Sequence, residues 1–68
     1  MTTSPSDQSV SLARQAARIR HDIAVRTKLY RNLVAAKKMR QGDATRELNE
    51  LAAVLETLES LLREREAA

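Results

Sequence analysis

Five leucines recur along the C-terminal half of the chain at alternating steps of three and four residues. They are Leu48, Leu51, Leu55, Leu58 and Leu62. This spacing places one apolar stripe along a helix and matches the a and d positions of a coiled coil. Because a leucine face of this kind must be covered, we expect the segment to pack against another helix. The pattern constrains the fold strongly, and it points to no chemistry.

The composition predicts a single all-α domain. The chain has 68 residues with one Gly, one Pro and no Phe, Trp or Cys, which favours helix and excludes disulfide and thiolate chemistry. Charged residues make up 31% of the chain. No apolar run is long enough to cross a bilayer or to form the hydrophobic part of a signal peptide. We therefore expect a soluble, cytoplasmic protein that does not associate with membranes.

The predicted architecture is an antiparallel two-helix coiled-coil hairpin. We expect residues 1–4 to be disordered and residues 5–66 to form one helical-hairpin domain. Within that domain, the first helix is predicted over 5–37 and the second over 43–66, with a turn at about 37–43. The first helix is amphipathic, because its apolar side chains keep a mostly three-to-four spacing. Those side chains are Leu12, Ala16, Ile19, Ile23, Tyr30, Leu33 and Val34.

Local signals suggest where each helix starts. Ser4 is a plausible N-cap, with Pro5 in the first turn and Asp7 three residues after the cap. For the second helix, Gly42 and Asp43 resemble a C-terminal glycine followed by an N-cap. These two residues favour a turn at their own position.

The apolar stripes favour a slightly earlier turn. One stripe runs from Leu12 to Val34 and the other from Ala44 to Leu62. Folding them together end to end places the turn around Lys37–Gln41, with Met39 packing over its open end. We prefer this placement.

Charge divides between the two halves of the chain. Residues 8–41 hold nine basic side chains and one acid, whereas residues 42–68 hold seven acids and three bases. A hairpin lays these halves side by side. Exposed pairs of this kind contribute under about 1 kcal/mol each, so we expect them to set register more than stability.

One helix–helix contact is too small to cover the apolar surface of this chain. Val54 and Leu61 flank the leucine stripe on one side and Ala52 on the other. We expect a homodimer that forms a four-helix bundle with two-fold symmetry, or else a hairpin that leaves this face for a different protein. The core and self-association residues are predicted to be Ile19, Ile23, Leu33, Leu48, Leu51, Leu55, Leu58 and Leu62.

No arrangement of side chains points to catalysis or to a cofactor. His21 is the only histidine, and its neighbour Asp22 projects from a different side of the helix. A metal site needs three or four convergent ligands, so we predict no metal. An enzyme also needs a water-excluding pocket, which two helices do not form. We expect a protein that is not an enzyme and that uses no cofactor.

The basic first helix gives an alternative function. Its arginines and lysines could neutralise phosphates, which would make the chain a nucleic-acid-binding accessory protein. However, these side chains spread over a broad arc, and no stacking aromatic residue or helix-turn-helix spacing accompanies them.

Tyr30 is the sole aromatic residue. It is in step with Ile23 and Leu33, which predicts packing in the core or at its rim with the hydroxyl reaching solvent. A binding hot spot beside Arg26 and Arg31 is the alternative, since tyrosine and arginine dominate such sites. The candidate partner-binding residues are Arg18, Arg26, Tyr30, Arg31, Val54 and Leu61.

One stretch resembles a group of small, mostly uncharacterised phage and prophage proteins. It reads KLYRNLVAAKKM over residues 28–39 and continues with Ala44, Glu47-Leu48, Leu51, Ala53-Val54-Leu55 and Thr57-Leu58. Those proteins typically read Val-Tyr-Pro, a Leu/Trp-Val pair, Gly-Lys-Met, Glu-Ile and Ala-Val-Leu at matching intervals. The resemblance covers about residues 19–58. Arg31 and Lys37 stand where the group usually has proline and glycine, which predicts a longer and straighter first helix.

The resemblance implies a phage product that acts in a bacterial cytoplasm. Phage proteins of this size often occupy a surface of a host protein, such as a transcription regulator, a motor ATPase or a defence complex. Our leading hypothesis is therefore a dimeric helical interaction module that binds and modulates or inhibits a host bacterial protein. A nucleic-acid-binding accessory protein and a structural or assembly component are the alternatives.

Overall fold

The computed structural model describes residues 10–67, which form two helices joined by a short turn. Helix α1 spans Leu12–Ala35 and helix α2 spans Gln41–Ala67. The helices pack against each other as a hairpin, so the predicted all-α hairpin is confirmed. In this part of the chain, neither helix has the length and apolar character that crossing a membrane requires.

Helix α1 begins at Leu12, later than the predicted start at residue 5. Ser11 is the N-cap, and its hydroxyl oxygen accepts a hydrogen bond from the backbone N–H of Arg14 at 3.1 Å. Serine favours this position because its side chain satisfies a backbone donor that the helix itself leaves unpaired. The predicted disordered segment 1–4 lies outside the described residues. The same is true of the predicted capping residues Ser4, Pro5 and Asp7.

Helix α1 ends in a Schellman motif centred on Lys37. This residue has a φ of 60°, in the left-handed region. The Lys37 N–H donates to the Val34 carbonyl at 3.0 Å, and the Lys38 N–H donates to the Leu33 carbonyl at 2.8 Å. These two bonds satisfy carbonyls at the helix end that would otherwise lack partners. A lysine therefore takes the position that glycine usually fills.

The turn occupies residues 36–40, close to the position that the apolar stripes favour. The placement based on Gly42 and Asp43 is wrong, because both residues lie inside α2. Gly42 was a misleading signal because the left-handed residue that ends α1 is Lys37, which the Schellman hydrogen bonds hold in that conformation. Met39 is half-buried within the turn.

Replacing Lys37 with glycine is expected to stabilise the hairpin by about 1 kcal/mol. The left-handed conformation costs a non-glycine residue about 1–2 kcal/mol, which exceeds the extra backbone entropy that glycine loses on folding. Urea unfolding followed by circular dichroism measures the change. The control is Lys38→Gly, which removes the same charge at a residue without a positive φ. Equal midpoints for the two variants would contradict the role assigned to Lys37.

The contact between the two helices, which we call the seam, is thin. Only Ala16, Tyr30 and Ala44 are buried among the described residues, and no large side chain there is fully buried. The predicted core residues all line the hairpin as half-buried side chains. The large apolar residues that stay exposed are Val10, Val25, Leu29, Val54 and Leu61.

Candidate interaction surfaces

One side of the hairpin carries an apolar strip that the seam covers only in part. Val10, Ile19, Val54 and Leu58 line a shallow groove between the two helices, where Arg14, Gln15 and Arg18 form the edge. Leu61 follows Val54 by seven residues, which places it on the same side of α2. Val54 is 46% exposed and Leu61 is 40% exposed. We call Val10, Ile19, Val54, Leu58 and Leu61 the apolar strip.

The same side of the hairpin becomes polar toward the turn. Val54 and Leu51 also line a second groove, together with Arg26, Arg46, Glu47 and Glu50. Because Val54 belongs to both grooves, they form one continuous surface, which we call the strip face. On this face α1 contributes Arg14, Arg18 and Arg26, whereas α2 contributes Glu47 and Glu50. Arg46 is the basic exception on α2, and it pairs with Asp43 at 3.4 Å.

Tyr30 is a core residue and is not an exposed hot spot. Its side chain is 6% exposed. The hydroxyl donates to Glu47 Oε1 at 2.7 Å and accepts from Arg26 Nη1 at 3.0 Å. The bond to Tyr30 is the main reason that the pKa of Arg26 is raised above its ordinary value. The prediction of core packing is confirmed, but the hydroxyl bonds within the hairpin and does not project to solvent.

Replacing Tyr30 with phenylalanine is expected to destabilise the hairpin by about 1 kcal/mol. The ring stays in place, while the hydrogen bond across the seam is lost. Thermal unfolding measures the effect. Thr57→Val is the matched control, because its hydroxyl bonds only to the carbonyl of Ala53 within α2. Unfolding midpoints that match the wild type for both variants would show that the hydroxyl contributes nothing to the packing of the helices.

The hairpin uses few of its charges internally. Among residues 10–67, one ion pair joins the two helices, between Arg20 Nη2 and Glu59 Oε2 at 2.8 Å. Arg18 pairs within α1 with Asp22 at 3.6 Å, and its side chain is still 74% exposed. The expected attraction between the two halves is therefore realised directly at one position. In the part of the chain that the structure describes, three of the six basic side chains of α1 have no ion pair or hydrogen bond of their own, namely Arg14, Lys28 and Arg31.

A second exposed surface lies on the side of α1 that faces away from α2. Val25 is 51% exposed and Leu29 is 48% exposed, one helical turn apart. By helical spacing, His21 and Lys28 lie on the same side, and both are exposed. We call these four residues the outer face of α1. Within the described residues, no cluster of histidine, cysteine, aspartate or glutamate could hold a metal ion.

The six candidate partner-binding residues separate into two groups. Arg18, Arg26, Arg31, Val54 and Leu61 are exposed, whereas Tyr30 is buried and accepts a hydrogen bond from Arg26. The sequence interpretation missed Val25 and Leu29 as exposed apolar residues. Their spacing of four residues, out of step with the seam, was the signal available.

Comparison with models of known families, with curated proteins and with solved structures finds no match for this chain.

Proposed function

We propose that the chain is a small phage-type helical interaction module that binds a host bacterial protein and modulates or inhibits it. In this proposal, it acts in the host cytoplasm as a homodimeric four-helix bundle. The observation that carries the proposal is the surplus of exposed apolar side chains over those that the seam uses. The resemblance of residues 19–58 to small phage proteins supports the bacterial setting.

The apolar strip supports self-association. Only three of residues 10–67 are buried, so the hairpin has little apolar burial with which to offset the conformational entropy of folding. Covering Val54 and Leu61 fully would contribute about 1.5–3 kcal/mol for each side chain. A two-fold interface contains every such contact twice. A second copy therefore supplies the burial that a single chain lacks.

The outer face of α1 supports binding to a different protein. Val25 and Leu29 form an apolar centre beside Lys28 and His21, which suits an apolar and acidic helix on the partner. Neither Val25 nor Leu29 lines the grooves of the strip face, so a dimer of the proposed kind leaves them open. Occupying a surface on the host protein in this way requires no cofactor.

Affinity purification from bacterial lysate tests the proposal. The tagged wild type is compared with a Val25→Glu, Leu29→Glu double variant and with an Ala53→Glu, Thr57→Glu control on the exposed side of α2. We expect the wild type and the control to retain a protein partner after nuclease treatment, and the first variant to lose it. The complex is then reconstituted from the two purified proteins.

The nucleic-acid alternative predicts different behaviour. Exposed Arg14, Lys28 and Arg31 favour it, whereas the apolar centre of the outer face does not. Phosphate binding releases counterions, so affinity for nucleic acid would fall steeply with salt. Recovery of nuclease-sensitive nucleic acid alone, with a steep salt dependence, would overturn the proposed function.

A further inference from the structure

We infer that the second copy packs with the two-fold axis parallel to the helices, so that both turns lie at the same end of the bundle. In this arrangement, α1 of each copy lies against α2 of the other copy. The inference rests on the proposed homodimer and specifies how the partner is seated on the strip face.

Two kinds of two-fold axis bring the strip faces of two hairpins together. An axis along the helices places α1 opposite α2 of the second copy. An axis across the helices, in the plane of the interface, places α1 opposite α1 and α2 opposite α2. Both arrangements cover the apolar strip, so hydrophobic burial does not distinguish them.

Charge distinguishes the two arrangements. On the strip face, α1 contributes Arg14, Arg18 and Arg26, whereas α2 contributes Glu47, Glu50 and Arg46, which pairs with Asp43. An axis across the helices near the middle of the strip would place Arg14 of each copy opposite Arg26 of the other, because the two arginines lie equally far on either side of that height. An axis along the helices places Arg26 opposite Glu50 instead. Opposed like charges at an interface are unfavourable and suppress wrong arrangements.

The positions of Arg26 and Glu50 along the hairpin fit the same arrangement. Arg26 lies nine residues before the end of α1 at Ala35, and Glu50 lies nine residues after the start of α2 at Gln41. With a rise of about 1.5 Å per residue, the two side chains are equally far from the turn. Rotation about an axis along the helices leaves each residue at the same distance from the turn. Arg26 of each copy therefore lies opposite Glu50 of the other copy.

The arrangement also gathers Lys37, Lys38 and Arg40 of both copies at one end of the bundle. All three side chains are exposed, and salt screens repulsion between exposed charges. The repulsion at the turns is therefore weaker than the preference that the two Arg26–Glu50 contacts give to this arrangement.

Distances between spin labels on the two copies test the inference. The full chain has no cysteine, so Gln41→Cys or Glu56→Cys provides a single labelling site. Gln41 is at the turn, and Glu56 is near the middle of the strip in height. The Glu56 label lies near its counterpart with either axis and reports dimer formation. The Gln41 label reports which axis is present.

With the axis along the helices, pulsed electron resonance is expected to give distances below about 30 Å at both sites, the width of a four-helix bundle. A short distance at Glu56 with roughly 40–50 Å at Gln41, close to the length of α2, would overturn the inference and leave the dimer intact. Absence of an inter-copy signal at both sites, with the mass of a single chain, would instead contradict the proposed self-association.

Exchanging the charges of Arg26 and Glu50 tests the same contact in a second way. Glu50→Arg is expected to raise the dimer dissociation constant up to about tenfold, because the interface contains the exposed pair twice. Adding Arg26→Glu restores the opposite charges and is expected to lower the constant again. An axis across the helices predicts no such recovery.

Discussion

Replacing Leu55 with glutamate is expected to unfold the hairpin. Leu55 is central in the leucine stripe and half-buried against α1. The substitution removes its apolar contact and places a carboxylate in the seam, at a combined cost of about 3–5 kcal/mol. This is comparable with the entire stability of a small domain. Circular dichroism at 222 nm is expected to show loss of most helical signal at 25 °C.

The matched control for Leu55→Glu is Ala53→Glu. Ala53 is two residues away in the same helix, and its side chain is exposed. This variant adds the same charge without entering the seam, so it is expected to retain the wild-type helical signal within about 0.5 kcal/mol. A Leu55→Glu variant that unfolds cooperatively at the wild-type midpoint would show that the leucine stripe does not hold the helices together.

The Val54→Glu, Leu61→Glu double variant is expected to separate the dimer. In the proposed interface these side chains are buried in both copies, so four apolar side chains are replaced by four carboxylates. The loss of at least about 4 kcal/mol raises the dissociation constant by about a thousandfold. Both residues lie outside the seam, so each chain is expected to remain helical, with a lower unfolding temperature.

The control for this effect is the Val25→Glu, Leu29→Glu double variant. It also replaces two exposed apolar residues with glutamate, but on the outer face of α1. The proposed dimer leaves that face open, so the dissociation constant is expected to change little. Sedimentation velocity over a concentration series measures both variants. Equal weakening by the two would mean that self-association is not specific to the apolar strip.

The leucine stripe was sufficient to predict the hairpin, because the three-and-four spacing of the leucines shows which side of α2 another helix must cover. The same reasoning placed Tyr30 in the core. Its hydrogen bond to Glu47 was not predictable, because a contact between helices depends on their register. The turn was better located by the apolar stripes than by Gly42, since the stripes reflect packing over whole helices.

The start of α1 was misplaced because the N-terminal segment offers several residues suited to capping. Ser4, Ser6, Ser9 and Ser11 are all acceptable N-caps by residue type. Pro5 and Asp7 favoured Ser4 among them, and no local signal favoured Ser11. Of the exposed apolar residues, Val54 and Leu61 were predicted from the sequence, whereas Val25 and Leu29 were not. Periodicity identifies the residues outside the seam, but it does not identify which molecule covers them.

Sedimentation equilibrium of the full wild-type chain tests the proposed self-association most directly. The apolar strip predicts a species of twice the 7.6 kDa chain mass, whose proportion falls on dilution. A single, cooperatively folded species of 7.6 kDa at every concentration would contradict the account, because the apolar strip would then need no second copy.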